Sequence, residues 1–213
     1  MKNTYQENEL NWANRLIRTL LNNRDKIMMT GYSGSGKTTM LTVLDKRRDV
    51  TDEDVRRNTS GQEVYRIGYK TDNGNRVFIK STDTAGLDPV VNQTEFDKLL
   101  KDHKYFVYII NVDSFLSGRY STSEQETILK WYRDVYYHAK NFNRPMILVL
   151  SHADQYLSRI GKDYTDGNKH TEIRDKFFGA NGILSVLGCS SPDEIANIQK
   201  YDEVKKIIDK LIS

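Results

Sequence analysis

Cysteine is almost absent from this chain: Cys189 is the single one in 213 residues. No internal disulfide can form, so packing must hold the fold, and the composition suits a reducing cytosol. Proline is nearly as scarce, with 3 residues. No apolar run approaches the roughly 18 residues of a membrane-spanning helix. The chain starts Met1-Lys2-Asn3-Thr4-Tyr5 with no apolar leader behind it, and Lys2 excludes N-myristoylation. It ends Asp209-Lys210-Leu211-Ile212-Ser213, which is no prenylation box. A cytoplasmic location without a membrane anchor is therefore expected. Charge of one sign is lacking too. Lys and Arg number 32 and Asp and Glu 29, a net charge of only +3. With no basic tract interleaved with aromatics, a nucleic-acid partner is not indicated. The histidines, His103, His138, His152 and His170, are scattered and suggest no metal cluster.

Composition bounds the fold. Hydrophobic residues make up 38% and charged residues 29%, as in a soluble globular chain. The length suits one domain, 1–213, with 1–24 as an N-terminal helical extension. In that extension Leu10, Ala13, Leu16, Ile17, Leu20 and Leu21 recur at helical spacing. A strand over 26–30 and a helix over 37–47 follow, then a charged, non-periodic loop over 48–60. Two strand-like runs, 63–70 and 76–81, flank Asp72-Asn73-Gly74-Asn75, whose Asn-Gly pair signals a hairpin. Helical character is expected at 94–101. The continuous apolar runs Tyr105–Val112 and Pro145–Leu150 read as buried parallel strands. Residues 123–139 place Ile128, Tyr132, Val135, Tyr136 and Ala139 on one helix face, with Ser123 and Glu126 as a capping box. A short helix over 171–178 and a last strand over Ile183–Leu187 are expected next. Ser191-Pro192-Asp193-Glu194 reads as a helix start, and Val204, Ile207, Ile208 and Leu211 as the stripe of a C-terminal helix. The whole reads as α/β: a doubly wound sheet, mostly parallel with one antiparallel strand and helices on both faces.

Two motifs carry chemistry. Gly31-Tyr32-Ser33-Gly34-Ser35-Gly36-Lys37-Thr38 fits G-x-x-x-x-G-K-[ST], between a strand and a helix. Glycines let successive N–H groups turn toward a β-phosphate, Lys37 reaches the β- and γ-phosphates, and the Thr38 hydroxyl is suited to Mg²⁺. Ser33, Ser35 and Thr39 complete the phosphate-binding set around Gly31, Gly34 and Gly36. The strand Val77–Ser81 then leads into Asp83-Thr84-Ala85-Gly86. Asp83 would hold Mg²⁺, through a bound water, and the Gly86 N–H can face the γ-phosphate because no side chain blocks it.

Together these motifs resemble the Ras-like small GTPases of the translation-factor-related class, a group with the P-loop nucleoside triphosphatase fold. The resemblance covers most of residues 25–212 in the order of elements and matches residue for residue only at short motifs. It implies a GTP/GDP-binding switch with Mg²⁺ that hydrolyses GTP and signals to an effector or activating protein. It makes Thr59 the switch threonine over Mg²⁺, and Ser151-His152-Ala153-Asp154 the base-reading segment, with Asp154 accepting from guanine's two N–H groups. It sets Gly188-Cys189-Ser190-Ser191 as the loop after the last strand, where Cys189 and Ser190 would offer a backbone N–H to the guanine carbonyl. His152 replaces the usual lysine and is shorter, which lowers affinity and relaxes base choice. Ser151 replaces a bracing amide or threonine but keeps a hydroxyl. Leu87 stands where a water-orienting glutamine is usual, so hydrolysis is slow or another group supplies that function. Arg56, in Arg56-Arg57-Asn58-Thr59-Ser60-Gly61, resembles the cis arginine of heterotrimeric G-protein α-subunits. Alternatives stay open. An ABC-type ATPase is echoed by Leu116-Ser117-Gly118-Arg119, but in the wrong order relative to Asp83. A small kinase would need a lid. A nucleotide-locked regulatory module with negligible hydrolysis is kept open by Leu87.

Overall fold

A computed structural model of the chain describes residues 26–51, 53–54, 63–70, 76–83, 96, 100–189 and 191–213. The expected helix over 7–23, the Asn-Gly turn, Arg56, Thr59, Gly86, Leu87 and Ser190 lie outside the described residues. The elements are β1 (Ile27–Gly31), α1 (Lys37–Lys46), β2 (Glu63–Lys70), β3 (Arg76–Asp83), β4 (Tyr105–Asn111), α2 (Val112–Leu116) and α3 (Thr122–Asn141). After these come β5 (Met146–Ser151), α4 (Ala153–Arg159), α5 (Asp166–Phe178), α6 (Ile183–Val186), β6 (Asp193–Ile195) and α7 (Tyr201–Ile212).

The centre is a four-stranded, all-parallel sheet in the order β1-β4-β5-β6. Every residue of β1, β4 and β5 is buried. That is why these strands read as unbroken apolar runs rather than alternations. The pleat still sorts their side chains. Phe106, Tyr108 and Ile110 of β4 join a core with Ile128, Tyr132 and Val135 of α3 and Leu157 of α4. Tyr105, Val107 and Ile109 join a second core with Met40, Leu41 and Leu44 of α1 and Val204, Ile207, Ile208 and Leu211 of α7. Helices therefore cover both faces, and the α/β expectation holds at that level. β2 and β3 pair antiparallel, from Glu63↔Asp83 to Lys70↔Arg76. β3 runs beside β1, yet β2 and β3 form a separate two-stranded sheet. Among the described residues no helix is long and apolar enough to cross a membrane.

Three expected elements are corrected. Ile183–Val186 is a short helix, not the last strand. Val186 N–H donates to Gly182 O at 3.1 Å, and only Leu184 of the four residues is buried. A four-residue apolar run does not by itself separate strand from helix. The last strand is instead β6, where a helix start was expected. Leu148 N–H donates to Pro192 O at 2.9 Å, so the chain is already extended beside β5 there. Pro192 suits the beginning of an edge strand as well as the first turn of a helix. The Ser191 hydroxyl sits 2.8 Å from that of Tyr132 rather than capping a helix. The capping box of α3 is Ser121 with Glu124, not Ser123 with Glu126. Both pairs fit the pattern, and the helix takes the earlier one.

Candidate functional site

β1 delivers the chain to the carboxyl edge of the sheet, where α/β folds bind ligands. Gly31, with φ +154°, lies so close to β4 that a Cβ there would sit 2.3 Å from Ile109 O. The loop turns through Gly34 (φ +71°) and Gly36 (φ +95°), and α1 begins at Lys37. Successive left-handed glycines build the concave backbone that accepts anions. Gly36 provides no side-chain cap for α1, and no acidic residue lies in its first turn. The leading N–H groups of a helix have no acceptors within the helix, and its dipole favours negative charge there. An anion is the complementary ligand.

The loop carbonyls are held by side chains. Lys37 Nζ donates to Gly31 O at 3.0 Å and to Tyr32 O at 3.1 Å. Tyr120 Oη donates to Ser33 O at 2.9 Å, Asn111 Nδ2 to Gly34 O at 3.0 Å, and Ser151 Oγ to Ser35 O at 2.8 Å. Five successive carbonyls, Gly31 to Ser35, thus each accept from a side chain. In a trans peptide the next N–H points opposite to the carbonyl. Holding Ser33 O and Ser35 O outward therefore turns the Gly34 and Gly36 N–H groups toward the other side.

Two more segments meet the loop. His152 follows β5 in a left-handed conformation, φ +56°, with Nδ1 3.0 Å from Ser151 Oγ. Its Cε1 lies 3.4 Å from where a Cβ on Gly36 would stand. Asp154 sits two residues on, in the first turn of α4. The second segment follows β6. Ile198 Cδ1 comes within 2.0 Å of that same Cβ position on Gly36. Asn197 N–H donates to Glu203 Oε2 at 2.9 Å, and Asn197 Oδ1 accepts from Gln199 N–H at 3.1 Å, fixing the turn.

This corrects the expectation for Cys189. It precedes β6 and is buried, its N–H on Leu184 O at 3.3 Å. Burial raises the thiol pKa. The loop after the last strand is 196–199, a consequence of the misplaced strand. Gly31, Ser33, Gly34, Ser35, Gly36, Lys37, Thr38, Thr39, His152 and Asp154 lie on the elements that converge at this edge. Asp83 ends β3. Sequence reasoning missed Asn111, Tyr120 and Ile198, which reach the loop only through the tertiary fold.

Among the described residues no group of three or more His, Cys, Asp or Glu side chains gathers to hold a metal. A divalent ion here would draw on the Thr38 hydroxyl and a ligand's own phosphates, with Asp83 at the end of the neighbouring β3 as the one carboxylate the sequence motif offers. That donor set suits Mg²⁺, which keeps few protein ligands. A scan of protein-family models gives no match, and no curated protein matches the chain. The architecture is compatible with a phosphate-loop nucleotide-binding fold.

Proposed function

We propose that the chain is a Ras-like, guanine-nucleotide-binding switch that binds GTP with Mg²⁺ and hydrolyses it slowly to GDP and phosphate. The observation that carries this reading is the Gly31–Thr38 loop itself. It has two left-handed glycines, Lys37 folded across it, an uncapped α1 behind it, and His152 against Gly36. Lys37 would exchange loop carbonyls for the β- and γ-phosphates. Thr38, Thr59 and Asp83 would hold Mg²⁺, which neutralises charge on the phosphate oxygens when bound. The Gly86 N–H would meet the γ-phosphate. Asp154 would accept from guanine's ring N–H and exocyclic amine.

The rate would be low because Leu87 has no group to orient water, unless Arg56 acts in cis. A partner protein would read the loops 48–61 and 86–93, and a cytoplasmic setting agrees with the single thiol. An ATPase is the second reading, because His152 in place of lysine weakens the argument for guanine. A nucleotide-binding module with negligible hydrolysis is the third, on the strength of Leu87.

Competition of GTP, ATP and xanthosine triphosphate on wild type and Asp154→Asn tests the base. Losing a charge-assisted hydrogen bond, worth about 1.5–3 kcal/mol, should weaken GTP about tenfold or more and improve the xanthine nucleotide. An unchanged GTP/ATP ratio in the variant would favour the ATPase.

A further inference from the structure

The segment between α2 and α3, residues 117–121, reaches the phosphate loop through Tyr120. The backbone of Tyr120 is fixed at both ends. Its N–H donates to Ser114 O at 3.2 Å, and its carbonyl accepts from Gln125 Nε2 at 3.1 Å. Its ring meets Tyr32 edge-on, with centroids 5.3 Å apart, and Tyr32 packs in turn against Trp131. Tyr32 Oη donates to Glu124 Oε1 at 3.1 Å, the same carboxylate that closes the α3 capping box. The preceding residue, Arg119, is paired with buried Asp113 at 3.2 Å. Every one of these contacts aims one hydroxyl at one carbonyl, Ser33 O. Burial pushes the Tyr120 phenol up to about 12, so it remains a donor at neutral pH. Asn111 does the same for the next carbonyl, while its Oδ1 accepts from Ser114 N–H at 2.9 Å and caps α2. One short stretch, 111–124, therefore holds two consecutive loop carbonyls outward.

We propose that Tyr120 is a positioning residue of the phosphate loop: it keeps the Gly34 N–H turned toward the β-phosphate and so slows nucleotide release, while Asn111 fixes the next peptide, whose Ser35 N–H donates to Tyr32 O at 3.1 Å. This rests on the nucleotide-binding reading above. Neither side chain touches the ligand; each acts through the loop backbone. The brace acts on phosphates rather than the base, so it affects guanine and adenine nucleotides alike.

The test is release of methylanthraniloyl-GDP from the full chain, chased with excess GDP, with methylanthraniloyl-ADP run in parallel. Tyr120→Phe keeps the ring against Tyr32 and removes only the hydroxyl. Release should be about fivefold faster, the effect of one ordinary hydrogen bond. The factor should be the same for any of the two nucleotides that wild type retains. The melting temperature of the nucleotide-stripped chain should fall by no more than the few degrees that one partly exposed hydrogen bond is worth. Asn111→Ala should also speed release, and, because the two side chains share one network through Ser114, the double variant should show less than the product of the two factors. A purely structural role would lower the melting temperature and leave release unchanged, and that result overturns the proposal. If wild type retains a nucleotide and both variants release it at the wild-type rate, the brace alone is wrong. If folded wild type retains neither nucleotide, the nucleotide-binding reading falls, and this inference with it.

Discussion

Thr30 sits fully buried in β1, one residue before the loop, and its Oγ1 has no hydrogen-bond partner among the described residues. A buried hydroxyl left unpaired costs about 1–3 kcal/mol. Its backbone pairs with Tyr108 and does not depend on the hydroxyl. Thr30→Val keeps the branched shape and removes the polar atom. It should raise stability by about 1 kcal/mol, read as a higher urea midpoint with an unchanged slope, and leave nucleotide affinity alone. A lower midpoint would mean that the hydroxyl has a partner in solution. Residues of this kind separate what the sequence reveals from what it hides. Gly31 and Gly36 were legible because they sit at fixed spacing in one short loop motif, where each adopts a positive φ that side chains rarely take. Asn111 and Tyr120 were not, since each lies about eighty residues from the carbonyl it holds. No local pattern marks a side chain whose partner is set by strand order.

At the scale of elements, the β1, β4 and β5 runs and the α7 stripe were readable because their burial pattern follows from their own sequence. The segment 183–195 was not. Its helix and strand exchange places because β6 exists only through pairing with Leu148–Leu150 of β5. Tertiary pairing outweighed a capping pattern that no helix used, and the error carried Cys189 out of the site. A second inter-element link offers a prediction. Asp113 in α2 is 1% exposed and binds Arg159 of α4 through both oxygens, each at 2.9 Å. The arginine is half-exposed and can be rehydrated; the carboxylate cannot. Arg119 also reaches Asp113, but through one longer contact at 3.2 Å; removing the doubly bonded Arg159 should therefore still cost more than neutralising the anion. Arg159→Met should destabilise by about 2 kcal/mol, and Asp113→Asn by about 1 or less, in urea unfolding. Because α4 carries Asp154, the first variant should also weaken nucleotide binding. Equal losses would mean that water reaches Asp113.

At the scale of the molecule, the parallel sheet lies between two cores and brings four segments to one edge. These are the glycine loop after β1, the stretch from Asn111 at the end of β4 to Tyr120, His152–Asp154 after β5 and Ala196–Gln199 after β6. Each follows a strand of the same sheet, which is why residues spread from 31 to 199 surround one loop. The central claim is that this edge binds a guanine nucleoside triphosphate through Lys37. Calorimetric titration of the full chain with Mg·GTP, for wild type and Lys37→Ala, tests it most directly. In this account Lys37 would contact two phosphates by charge-assisted bonds, so its removal should weaken binding roughly a hundredfold while the chain stays folded. Equal affinity in the variant, or no heat of binding from a folded wild type, would contradict the account.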